Sequence, residues 1–292
     1  MRAYSLLLFS LLTLYSCREL VQDEFPDFAP VPTVNSILVA GEPVIIQVSI
    51  AGKLDTNKIV LVNNAEVLLS VDGQYRETLT YSDEGIYFSS VVVEPNKTYH
   101  CEVNIQGFPT VTCTDSIPEA AVISDIIHIN KAGKNEEGLT YPAIKFTFTN
   151  NPTVKQYYEV VIRLISHGSE KLATLERITD PLILSEGLPI ALFNNSLISG
   201  SGYSMTINYS SGEYSSVNGQ SPQAELYPLI IELRSVSSDY YKFVKQKFLY
   251  EQGRYPEFLA ASVTAFPLYS NVKGGYGIFG GYSAVQSDTI YP

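Results

Sequence analysis

From Thr33 onward, apolar and polar residues alternate in short runs separated by turn residues, the period-two pattern of half-buried strands. Ser36–Ala40 and Val44–Ile50 flank Gly41-Glu42-Pro43, and Glu66–Val71 and Gln74–Tyr81 flank Asp72-Gly73, a dipeptide that favours a tight hairpin. Ile86–Val93 follows Asp83-Glu84-Gly85, and Thr98–Gln106 follows Glu94-Pro95-Asn96. With Thr110–Ser116 this makes about seven short strands within residues 33–117, which predicts an immunoglobulin-like β-sandwich.

Ile117-Pro118-Glu119-Ala120 marks the expected boundary, and residues 118–292 read as a second β-rich domain. Its strands are Val122–Ile129, Ala143–Thr149, Tyr157–Ser166, Lys171–Ile178, Tyr203–Tyr209 and Leu226–Ser235. The loops Asn130–Gly138 and Ser210–Gln223 are long and polar, the usual place for outside contacts. One helix is expected near residues 239–252, with N-caps among Ser237-Ser238-Asp239 and a stop at Gly253. Tyr240, Val244 and Phe248 form its apolar stripe, expected to pack on the second sheet, and Lys242, Lys245 and Lys247 its solvated face. The fold class is therefore mostly β.

The N-terminus departs from this pattern. Arg2 precedes an apolar run from Leu6 to Leu14, which ends in Tyr15-Ser16-Cys17. A membrane-spanning helix needs about 20 apolar residues, and this run is shorter. Residues 1–16 read as a signal peptide and Cys17 as the lipidation site of a bacterial lipobox; an ordinary cleaved signal with Cys17 as a bystander is the alternative. Each buried acyl methylene contributes about 0.8 kcal/mol, so a multiply acylated cysteine anchors a protein firmly to a membrane. Residues 17–32 contain Pro26, Pro30 and Pro32 without periodicity, as expected of a lipidated tether.

Of the 292 residues, 45% are hydrophobic and 17% charged, the balance of a globular chain with a core. A formal charge of -11 argues against nucleic acid as a partner, because phosphate binding needs clustered Lys and Arg. There are 21 Tyr, 13 Phe and no Trp, so tyrosines fill the half-buried strand positions and no indole is present to stack on sugars.

Cys101 and Cys113 lie on neighbouring expected strands joined through Gly107-Phe108-Pro109. A hairpin centred on Gly107 sets them opposite each other at disulfide distance. Two readings stay open, a disulfide and a pair of buried thiols. Neither these cysteines nor His100, His128 and His167 have the spacing of a metal site. No Gly-x-Ser-x-Gly nucleophile elbow is present. Gly275-Tyr276-Gly277-Ile278-Phe279-Gly280 matches Gly-x-Gly-x-x-Gly, but no helical pattern follows as a dinucleotide site requires. These glycines are expected to let an aromatic segment pack closely on the second sheet. Glu136-Glu137 and Asp83-Glu84 sit in turn-like segments and read as solvated acids, not as a glycosidase pair. The expectation is no catalytic residue, no metal and no cofactor.

Several blocks resemble a known family. They are Val34-Asn35-Ser36-Ile37-Leu38 with Glu42-Pro43-Val44, Gly85-Ile86-Tyr87 with Lys97-Thr98-Tyr99, and Thr114-Asp115-Ser116-Ile117-Pro118. Phe193-Asn194-Asn195 through Gly200, Ser235 to Tyr241, and Tyr269-Ser270-Asn271-Val272 to Gly277-Ile278-Phe279-Gly280 continue them. Together they resemble the Bacteroidota lipoproteins grouped as domain of unknown function DUF4249. The resemblance covers nearly all of the mature chain and implies an outer-membrane lipoprotein with two β-rich parts. It is similar in setting to accessory proteins encoded beside TonB-dependent transporters, and it brings no catalytic residues. The expected role is non-enzymatic help to such a transporter in nutrient binding or uptake. The alternatives are a structural or adhesive envelope protein and, more weakly, a surface hydrolase.

Glu19, Asp23 and Glu24 are interrupted by Leu20 and Val21, which dilutes the acidic stretch that marks surface export in these bacteria. A cell-surface position is expected, with the periplasmic face left open. Asp115-Ser116-Ile117 and Asp288-Thr289-Ile290 resemble the O-glycosylation acceptor of the same bacteria, with Ser116 and Thr289 as the acceptors. Cys101 and Cys113 stand where the family is expected to have apolar or small residues.

Overall fold

A computed structural model describes residues 29–52, 59–216, 222–253 and 268–292, and these described residues form three sheets and two helices. Cys17 and the signal and tether residues up to 28 lie outside the described residues. The largest sheet contains β1 (Val31–Val39), β2 (Pro43–Ala51), β3 (Val60–Leu61), β6 (Thr80–Tyr81) and β7 (Ile86–Val92) from the first part of the chain. It continues without a break into β12 (Tyr157–Ser166), β13 (Ser169–Leu172), β15 (Leu192–Asn194), β19 (Leu229–Val236) and β20 (Tyr276–Gln286). β20 joins the two groups, running parallel to β1 from Thr33↔Tyr276 to Val39↔Tyr282 and antiparallel to β19.

Two smaller sheets cover opposite ends of this common layer. β4 (Glu66–Val71), β5 (Gln74–Thr78), β8 (Thr98–Asn104) and β9 (Val111–Ser116) form one of them. The other contains β10 (Ile123–Lys134), β11 (Thr140–Thr149), β14 (Thr174–Leu175), β16 (Gly202–Ser210), β17 (Tyr214–Ser215) and β18 (Gln223–Ala224). Burial alternates strictly along strands such as β8 and β12, so each sheet turns one face inward. One core gathers Val34, Leu38, Leu69, Tyr99, Val111 and Ile117 together with Phe279. A second gathers Phe146, Phe148, Tyr158, Ile162, Phe193 and Leu233. The protein is mostly β, as the alternation predicts, and its first part is a two-layer sandwich.

Asp72-Gly73 makes its expected turn with both residues in the left-handed region, at φ 51° and 74°. The structure differs from the sequence expectation at several places: the expected strands Gln74–Tyr81 and Lys171–Ile178 each break into two short strands that belong to different sheets. β1 starts at Val31, so the last two tether positions already belong to the sheet. β10 runs on to Lys134, into the expected loop, through two register shifts against β11. The glycine-rich segment before the C-terminus is a strand in the middle of the common sheet, not a cover lying on it.

The helices are α1 (Pro181–Glu186) and α2 (Ser238–Gly253). α2 lies on the outer face of the common sheet against β20 and β12. Gly280 permits this approach, since a Cβ there would stand 3.1 Å from the Tyr240 amide nitrogen. α1 starts on Asp180, whose Oδ1 accepts the Leu182 amide at 2.9 Å, and ends on Gly187 at φ 70°.

Candidate functional site

The outer face of the common sheet carries an apolar row. Phe88 is the register partner of Ile45, and the Ser36 hydroxyl on β1 donates to the Ile45 carbonyl at 2.7 Å, which brings the next residue, Ile37, close to Ile45. Phe88, Ile45 and Ile37 are 42%, 43% and 39% exposed, although each is of a type that normally faces inward. The row leads to a cleft of about 350 Å³ beside α2. Ile37 and Glu159 form its floor, and Tyr240, Phe243, Val244 and Phe248 its helical wall, with Lys247 and Glu251 at the rim. The helix stripe expected from the sequence thus has Tyr240 buried on the sheet, with Val244 and Phe248 lining the cleft.

A charge network extends this face into the second half. Glu159 and Arg234 are register partners on β12 and β19, and Arg234 Nη1 donates to Glu159 Oε2 at 2.9 Å. Tyr240 Oη donates to the same oxygen at 2.9 Å, and the Arg234 guanidinium lies 4.5 Å from the Tyr282 ring centroid. Glu232, 2% exposed, accepts from Arg163, Arg234 and Gln286. Burial pushes its pKa up, but the Arg234 and Gln286 bonds and the nearby Arg163 outweigh that and hold it below the ordinary carboxylate range. At the other side of α2, Glu186 at the end of α1 accepts from Tyr241 and, at 2.7 Å, from Lys245. Sequence reasoning missed these residues because strand and helix charges normally read as solvated; the alternation of Glu159, Arg163, Glu232 and Arg234 with core residues was the available signal.

A second polar cluster sits where the two halves meet. Asp115 lies one residue before the end of β9, Ser237 and Asp239 flank the start of α2, and Tyr269 and Asn271 precede β20. Ser237 Oγ accepts the Tyr240 amide at 3.1 Å, and its hydroxyl faces the Asp115 carboxyl. Asp239 accepts from Tyr269 Oη at 2.7 Å, Asn271 Nδ2 at 2.9 Å and Lys242 Nζ at 3.1 Å. Asn271 also exchanges bonds with the Phe279 backbone, at 2.7 Å to the carbonyl and 3.0 Å from the amide. Three of the blocks that carry the family resemblance, around residues 115, 237 and 271, therefore converge in one place.

The other residues singled out in the sequence are dispersed. Cys101 and Cys113 are direct register partners on β8 and β9 and are both buried as free thiols, with Cys113 Sγ 3.9 Å from the Cys101 carbonyl oxygen. Ser116 is exposed with its hydroxyl 2.8 Å from that of Thr98, while Ile117 beside it is 1% exposed. Thr289 is half-buried beside the Leu229↔Ile290 bridge. His100 pairs with Thr114 at 2.7 Å and His128 with Tyr209 at 2.7 Å, and His167 occupies a turn at φ 51°. Among the described residues, no group of three or more His, Cys, Asp or Glu could hold a metal ion, and no helix is long and apolar enough to cross a membrane.

Comparison with known proteins adds the following. A search of the curated proteins finds no match. One solved structure, described provisionally as a membrane-anchored protein of Corynebacterium diphtheriae, aligns at 12% identity and a TM-score of 0.22. The alignment covers 72% of this chain but only 55% of that protein, and so loose a superposition carries no argument. The family described as domain of unknown function DUF4249 matches residues 18–288, nearly the whole sequence. The chain belongs to the DUF4249 family.

Proposed function

We propose that this protein is a non-enzymatic outer-membrane lipoprotein of Bacteroidota, anchored through Cys17, that assists a TonB-dependent transporter in nutrient binding or uptake. The observation that carries the reading is the exposed row Phe88–Ile45–Ile37 running into the cleft beside α2. Contiguous apolar surface rimmed by charge is the mark of a partner contact, and the partner here is the transporter. Tethering both proteins in one membrane raises their effective concentration, so a modest contact suffices.

The test is co-purification from detergent-solubilised envelopes. The wild-type chain is expected to bring down a transporter stoichiometrically and to carry an acyl label. Ile45→Lys with Phe88→Glu is expected to lose the transporter while keeping label and fold. Cys17→Ala is expected to lose the label and membrane retention. A wild-type protein that stays in the membrane but brings down no transporter would leave a structural or adhesive envelope role in its place.

A further inference from the structure

The two halves of the molecule are joined in one layer by the β1–β20–β19 pairing, while the covering sheets are separate. On the β9 side, the polar cluster around Asp115 and Asp239 bridges from the first sandwich to the start of α2. The Ser116 amide donates to Asp115 Oδ1 at 2.8 Å. Asp115 Oδ2 is buried without a hydrogen-bond partner among the described residues. A buried carboxylate oxygen with no donor is costly when charged and far less so when protonated.

We propose that Asp115 is the proton-operated member of a latch between β9 and the N-terminus of α2, closed when its carboxyl is protonated and loosened when it ionises. The proposal stands apart from any membrane role. Burial is the main force raising the Asp115 pKa, to about 7. The Ser237 hydroxyl and the Ser116 and Gly281 amides oppose it, and the Asp239 charge adds to it. From α2, Asp239 and Lys242 face the cluster, and from the segment before β20, Tyr269 does. Opposite in register on β8 is Tyr99, whose hydroxyl is bonded to the Glu94 amide at 2.7 Å. The β20 residues beside the latch, Phe279 to Gly281, carry no titratable side chain.

Asp239 stays ionised, because its bonds from Tyr269, Lys242 and Asn271 outweigh its own burial and hold its pKa low. Ionising Asp115 therefore sets a second negative charge against one already present, with its Oδ2 still lacking a donor. The contacts that tie this region together include the Thr112↔Lys273 bridge and the Ser237 cap. Because the folded pKa is raised, the latch is firm at low pH and weakens as pH rises through about 7.

The experiment is amide hydrogen exchange of the full-length chain in detergent at pH 5.5 and pH 8.5, corrected for intrinsic rates. Residues 111–118, 237–242 and 269–273 are expected to lose protection about tenfold on going to the higher pH. Asp115→Asn, which keeps the shape without the charge, is expected to hold the same protection at both values. Wild-type protection that does not change, or that changes equally in Asp115→Asn, overturns the proposal. Asp239→Asn supplies the independent check. Removing the facing negative charge makes ionisation of Asp115 easier, so the midpoint of the protection change is expected to move to lower pH. A midpoint that stays in place or rises overturns the latch.

Discussion

Leu38 on β1 and Gly281 on β20 are register partners packed so closely that any Cβ on Gly281 would strike the Leu38 carbonyl oxygen and come 2.6 Å from Ile117 Cδ1. The glycine is needed for space, at the point where the parallel pairing brings both halves into one sheet. Gly281→Ala is expected to destabilise the protein by about 1–3 kcal/mol, as overpacking of a tight core does. Urea unfolding monitored by tyrosine fluorescence measures it.

The Glu232 carboxylate is held by Arg163, Arg234 and Gln286 at 2% exposure. Removing one partner of a buried ion pair leaves the other charge uncompensated, so Arg234→Met is expected to cost about 3–5 kcal/mol. Thermal unfolding of the variant checks this. The Glu232 pKa is depressed below its ordinary 4.5 in the folded protein. Its stabilisation is therefore present in full above that value and is lost as pH falls through the folded pKa. An acid titration of stability is expected to show that loss in wild type and not in Glu232→Gln.

Ser237 caps α2 through the Tyr240 amide and also accepts the Gly281 amide at 3.3 Å. Ser237→Ala is expected to cost about 0.5–2 kcal/mol, the range for loss of an N-cap. Ser237→Thr should recover part of it, read by the same urea titration.

Cys101 and Cys113 face each other across the β8–β9 ladder, and the Cys113 thiol pKa is raised by its contact with Cys101 and by burial. Directly opposed strand residues have the Cα separation a disulfide needs. Protein matured in an oxidising compartment is expected to contain the bond, seen as the loss of two hydrogens in non-reducing intact mass. Two alkylatable thiols after denaturation would be the opposite result.

Local pattern made much of this fold legible. Asp72-Gly73, the alternation along residues 157–166 and the N-cap of α2 are local chemistry, and the structure reproduces them. What escaped is set by distant partners. Gly277, Gly280 and Gly281 fall within residues 276–286, and glycines weaken a strand in isolation. The segment is nonetheless a central strand, because the β1 carbonyls of Val34 and Leu38 and the Tyr240 backbone on α2 leave room there only for a bare backbone. α1 has Asp180, Pro181 and Gly187 as its cap, first-turn and stop residues, but six residues are too few for a periodic signal. The Asp115–Asp239–Asn271 cluster was visible only as three separate blocks, since nothing in a linear sequence says that they meet.

The parallel contact between β1 and β20 joins positions 243 apart in sequence. Closing so long a loop is entropically slow. Until residues 276–286 arrive, one ladder edge of β1 stays open, and an unpaired edge invites pairing with other chains. Refolding of this protein is therefore expected to be limited by late docking of that strand, with aggregation rising steeply with concentration until it arrives.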